Sequence, residues 1–95
     1  MPAFTAAKSK WLTLSGSTVD TVTFPKNKYR ITIVNFGTAL GERVYVRFDQ
    51  VDPVVNSDDS FLVRAGSERT FEPRGGAAQV RVVSPGAPAI SVEAD

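Results

Sequence analysis

Two stretches decide the fold class: Lys28-Tyr29-Arg30-Ile31-Thr32-Ile33 and Arg43-Val44-Tyr45-Val46-Arg47-Phe48. In the first, Tyr29, Ile31 and Ile33 fall on one face and Lys28, Arg30 and Thr32 on the other. In the second, Val44, Val46 and Phe48 face inward. A period of two belongs to a β-strand with one wet side. Weaker alternation recurs at residues 10–14, 18–24, 61–64, 68–72, 79–83 and 89–93, which makes about eight short strands. Val, Thr, Ile and the aromatics supply 33 of the 95 residues, and these side chains prefer a pleated backbone because branching or a ring restricts χ1. No window of a dozen residues repeats near the helical period of about 3.6.

Between the strands lie turn signals with a physical basis: Ser15-Gly16-Ser17, Pro25-Lys26-Asn27, the loop 35–41, Ala65-Gly66-Ser67, Arg74-Gly75-Gly76 and Pro85-Gly86-Ala87-Pro88. Glycine permits positive φ and proline presets φ for the second turn position. They recur at the near-regular spacing of sandwiches and barrels, except across residues 49–60. That long connection is expected where a Greek key passes from one sheet to the other. The expected architecture is all-β: an antiparallel β-sandwich with jelly-roll-like Greek-key connectivity, one domain over residues 9–95. Trp11, Phe24, Tyr29, Phe48, Phe61 and Phe71 are its expected large core fillers. Residues 1–8 show neither period nor turn signals and are expected to form an N-terminal arm.

Composition excludes most catalytic chemistry. There is no histidine and no cysteine, so no side chain titrates near neutrality unperturbed and no thiol nucleophile or Cys/His zinc site can be built. Asp49, Asp52, Asp58 and Asp59 cluster around the long loop, but their spacing is that of turn residues and not of a calcium loop. The glycine turns match no phosphate-binding fingerprint, and no serine has a base at a motif spacing. Neither an enzyme, a cofactor nor a metal is expected. The net charge is +1, too balanced for nucleic acid as a main partner. Its distribution is uneven: residues 1–35 carry five bases and one acid, and residues 36–95 carry six bases and nine acids. That division favours contacts with a like copy or with a charged lattice. Lys26-Asn27-Lys28-Tyr29-Arg30 interleaves bases with an aromatic, yet Tyr29 shares a face with Ile31 and Ile33, so the stretch reads as a solvated strand face. No apolar run is long enough for a signal peptide core or a membrane span, and synthesis in a cytoplasm is expected.

Two features point to a macromolecular partner. In the arm, Phe4 is followed by Lys8, Lys10 and Trp11 across a small-residue spacer, an arrangement of apolar anchors and positive charge suited to ordering on an acidic surface. In the loops, Phe36 with Leu40 and Val54 with Val55 pair hydrophobes within polar connections. Phe4, Lys8, Lys10, Trp11, Phe36, Val54 and Val55 are therefore the candidate partner-binding residues, and removal of residues 1–11 is expected to spare the fold.

The succession Arg30-Ile-Thr-Ile-Val-Asn-Phe-Gly37, Val44-Tyr-Val-Arg-Phe-Asp49, Phe61-Leu-Val-Arg-Ala-Gly66, Val80-Arg-Val-Val-Ser84 and Ile90-Ser-Val-Glu93 resembles the small β-sandwich capsid decoration, or cement, proteins of tailed bacteriophages. The resemblance spans about residues 28–93 and lies in strands and turns. It implies a virion component, made in the host cytoplasm, that binds the major capsid protein on the outside of the head and bridges capsomers, often as a homotrimer. A phage tail or head-to-tail connector protein is the nearest alternative. A carbohydrate-binding module is the third, and it would need an exposed aromatic platform, whereas the alternation assigns Trp11 and the tyrosines to the core.

Overall fold

The computed structural model describes residues 3–6 and 8–95. Among the described residues nine strands form: β1 (Ala3–Thr5), β2 (Ser9–Thr13), β3 (Asp20–Lys28), β4 (Ile31–Asn35), β5 (Val44–Arg47), β6 (Phe61–Val63), β7 (Glu68–Phe71), β8 (Ala77–Val83) and β9 (Ala89–Ala94), with one 3-10 turn at Leu40–Glu42. They pair as a five-stranded sheet in the order β1-β3-β8-β5-β6 and a four-stranded sheet in the order β2-β9-β4-β7. Every pairing is antiparallel except β1 with β3, which is parallel with Phe4 opposite Val22. The two sheets pack face to face as a β-sandwich. Val22 and Phe24 of β3, Val44 and Val46 of β5, and Val80 and Val82 of β8 meet Leu12, Ile31, Ile33, Ile90 and Val92 of the facing sheet. The expected all-β, jelly-roll-like sandwich is therefore the observed architecture.

The chain reaches it by a different route from the expected one. The strand pairs β1 and β2, β2 and β3, β3 and β4, β4 and β5, β6 and β7, β7 and β8, and β8 and β9 each lie in opposite sheets. Only β5 and β6 are sequential neighbours within one sheet, with Tyr45 opposite Leu62. Residues 49–60 thus do not cross between sheets; they join a hairpin. The turn expected at Pro25-Lys26-Asn27 is also displaced, because β3 continues to Lys28 through an irregularity between Thr23 and Lys28. Pro25 is tolerated there because, among the described residues, β1 pairs with β3 only as far as Thr23 and the ladder with β8 is interrupted between Thr23 and Lys28.

Three of the six expected core fillers are exposed: Trp11, Tyr29 and Phe61. Leu12 and Leu14 take the inward phase of the β2 segment, which turns Trp11 outward. Tyr29 lies in the bend between β3 and β4, and Lys28 is buried in its place. Phe61 opens the edge strand β6. The N-terminal segment is no simple arm either. Ala3–Thr5 is a strand, Ala6 donates its N–H to the Thr23 carbonyl, and Phe4 is half-buried against the core. Residues 9–11 belong to β2, so a deletion through residue 11 removes most of an integral strand.

Candidate functional site

The outer faces of the two sheets differ. On the five-stranded sheet, Tyr45, Arg47 and Arg81 point away from the core, because Val44, Val46, Val80 and Val82 take the inward phase. The 49–60 loop folds back over them. Arg81 donates to Asp52 at 2.8 Å, the Tyr45 hydroxyl donates to Asn56 Oδ1 at 2.8 Å, and Arg43 donates to both the Tyr45 hydroxyl and Asn56. Tyr45 is consequently buried despite its outward phase. Two of the clustered acids are held by arginines in this region, Asp52 by Arg81 and Asp49 by Arg47. The Arg47 guanidinium holds the Asp49 carboxyl below the usual carboxylate range.

The outer face of the four-stranded sheet carries no such cover among the described residues. Its registers place Trp11 opposite Ser91, Ser91 opposite Val34 and Val34 opposite Glu68, in one row across β2, β9, β4 and β7. The neighbouring row is Ser9, Glu93, Thr32 and Thr70, in which the two threonine hydroxyls share a 2.8 Å hydrogen bond. On the other side lie Thr13 and Ala89, with Phe36 donating its N–H to the Ala89 carbonyl. Trp11 and Phe36 stack across β9 with ring centroids 4.4 Å apart and planes 26° from parallel. Trp11 remains 61% exposed and Phe36 45%, a pair of rings on an otherwise polar and small-residue face.

Phe36 is presented by a built loop. Beneath it the Asn35 side chain is buried, donates to the carbonyls of Glu42 and Val63, and accepts from the Gly37 N–H. The Glu42 carboxylate accepts from the N–H groups of Thr38 and Ala39. Those two backbone bonds pull the Glu42 carboxyl below its ordinary range. Gly37 is required by close approach, since a Cβ there would sit 2.8 Å from the Glu42 Cβ.

A second surface is the flank where β1 and β2, the outermost strands of the two sheets on that side, lie together. Lys10 holds its ammonium 5.1 Å above the Phe4 ring, and exposed Lys8 precedes β2, its carbonyl accepting from the Ala94 N–H. Thr5, Ala6, Thr23, Phe24 and Pro25 line a recess of about 290 Å³ beside them. On the opposite flank, Phe48, Phe61 and Phe71 form an aromatic cluster with centroids 5.0–6.1 Å apart, and Arg69 lies over Phe61 and Phe71. Phe48 and Phe61 border a cleft of about 570 Å³ whose rim includes Arg47, Asp59 and Arg74.

Of the seven candidate contact residues, the structure thus joins Phe4 with Lys10, and Trp11 with Phe36, and sets Lys8 immediately before β2. Val54 and Val55 lie apart, in the loop over the other sheet. Sequence reasoning missed the Trp11–Phe36 partnership and its exposure, although the phase of Leu12 and Leu14 already places Trp11 and Thr13 outward. Asp20 is a further group outside that list: it is buried, its Oδ1 makes no hydrogen bond among the described residues, and burial pushes its carboxyl up from the ordinary range.

No protein-family model matches the sequence, and no curated protein matches it. Solved structures do match in fold. A de novo designed double-stranded β-helix is 12% identical, with 93% of this chain and 99% of that chain covered at a TM-score of 0.59. A protein of unknown function (DUF1255) from Acinetobacter sp. ADP1 is 12% identical, with 95% and 71% covered at 0.53. A cupin-2 domain containing protein from Shewanella frigidimarina is 8% identical, with 92% and 69% covered at 0.49. For the first two, the likeness is one of architecture: strands that alternate between two sheets, as in a double-stranded β-helix. Among the described residues no helix is long and apolar enough to cross a membrane.

Proposed function

We propose that this chain is a virion structural protein of a tailed bacteriophage, without catalytic activity, that binds the outside of the capsid and bridges capsomers. The observation that carries the proposal is the β1–β2 flank. Edge strands offer unpaired N–H and C=O groups to an added strand, and here two edges lie side by side with Lys10 and the half-buried Phe4 between them and exposed Lys8 just ahead of β2. Neither lysine forms an ion pair among the described residues, so both charges are available to acids of a major capsid protein. The rigid sandwich serves as a wedge, and a homotrimer on a local symmetry axis repeats each contact. Weak individual contacts then add multivalently. A tail or head-to-tail connector role would use the same flank at a single ring.

The test is a copy count together with a binding assay. Quantitative mass spectrometry of purified particles should give a copy number that scales with the capsid protein; a number matching one ring assigns the connector role. The K8E/K10E double variant, which leaves the core untouched, should fail to coat heads lacking the protein. Full coating by that variant would remove the flank from the interface.

A further inference from the structure

We infer that the stacked pair Trp11 and Phe36 is a platform for the ring of a neutral sugar. A pyranose has a face of C–H groups bounded by hydroxyls, and it is recognised by an aromatic face with hydrogen-bonding groups around it. The outer face of the four-stranded sheet has that composition. The exposed indole has Ser9 and Thr13 on its own strand and Glu93 one row away on the adjoining β9, with Thr32 one strand further and Glu68 at the far end of the row that Trp11 begins. Carboxylates accept strong hydrogen bonds from sugar hydroxyls, and their charge disfavours anionic sugars. The orientation is prepared in advance, because Phe36 covers one side of the indole at 4.4 Å and is itself seated on the buried Asn35 network. Little side-chain freedom is then left to lose on binding.

Area separates this ligand from a protein partner. The exposed parts of the two rings amount to on the order of 200 Å², whereas a stable protein interface covers about 800 Å² on each partner around an apolar centre. Beyond Val34 and Ala89, the neighbouring outward positions on this face are Ser, Thr and Glu. One or two sugar rings match the aromatic area and its polar border; a protein footprint would bury the two carboxylates.

Trp11 is the only tryptophan, so its fluorescence reports the site directly. The full chain is titrated with cellotetraose, lactose and chitotetraose, and with 3′-sialyllactose as the anionic control. The expected result is a saturable change in tryptophan emission with at least one neutral glycan, little with the sialylated one, and binding by affinity electrophoresis weakened at least about tenfold in W11A and F36A. No saturable response to any neutral glycan overturns the inference. Equal binding by the wild type and both variants also overturns it. The flank proposal is tested separately, because K8E/K10E is expected to keep sugar binding while losing attachment to heads.

Discussion

The buried side-chain amide of Asn35 donates to the backbone carbonyl of Glu42 at 2.8 Å, while the Glu42 carboxylate ties down Thr38 and Ala39. The two residues therefore clamp the 36–42 loop from both ends, and the loop in turn presents Phe36. Replacing Asn35 by Ala leaves the Glu42 and Val63 carbonyls and the Gly37 N–H without their partner. N35A is expected to lose about 2–3 kcal/mol, read as a lower urea midpoint at unchanged m. A midpoint within error of the wild type would show that the loop is held by other means.

Phe36 contributes to stability mainly through the ring it covers. F36A should cost only about 1 kcal/mol, or roughly 4–8 °C in Tm for a chain of this length. The near-ultraviolet circular dichroism of the lone tryptophan should fall strongly, because Trp11 loses the neighbour that fixes its orientation. Retention of that signal in F36A would mean that β2 alone orients the indole.

Asp20 sets a pH dependence. Its folded-state pKa is raised by burial above the value of the unfolded chain, so the native state binds the proton more readily than the unfolded state does. Stability should therefore fall as pH rises from the ordinary Asp value through the raised one, and stay lower above it. D20N removes the charge but keeps the shape. It is expected to raise Tm at pH 7, with the gain shrinking toward acid. Thermal melts from pH 3 to pH 8 check this, and a pH-independent difference between the two proteins would exclude desolvation as the cause.

The N-terminal strand should be separable from the domain, and β2 should not. F4A is expected to cost about 1–2 kcal/mol, less than a fully buried Phe, because Phe4 is only half-buried. A chain beginning at residue 7 should still melt cooperatively. One beginning at residue 12 should not, since β9 would lose the neighbour it pairs with from Ser9 to Thr13. Cooperative melting of the shorter chain would show that β2 is dispensable.

The sequence reveals strands better than it reveals their partners. The alternation at Ile31, Ile33, Val44 and Val46 marks true core positions because a side chain on a strand has only two faces to choose between. Tyr29 fails the same logic, because the alternation runs on through a bend that no proline or glycine marks. The destination of residues 49–60 depends on Tyr45, Arg43 and Arg81 reaching Asp52 and Asn56, contacts between distant positions that no local pattern encodes. Trp11 departs from the expectation that a large aromatic lies inside, because the phase of Leu12 and Leu14 puts it outside. Its partner Phe36 lies 25 positions further on, and stacking across β9 depends on a register that only the folded sheet provides.

The pairing of β9 with both β2 and β4 governs when this protein can fold. Sheet order puts the last strand inside the four-stranded sheet, between the second and the fourth. Until residues 89–94 have left the ribosome, β2 has no strand beside it, and β4 has only the edge strand β7. Of all the pairings, β5 with β6 alone joins successive strands. The nascent chain therefore gains little by forming hairpins in order, and loop closure over most of its length must precede the reward of contact. Completion of the sandwich waits for residues 89–94 and should be slow for so small a domain, and Leu12, Ile31 and Ile33 stay exposed to aggregation until β9 arrives.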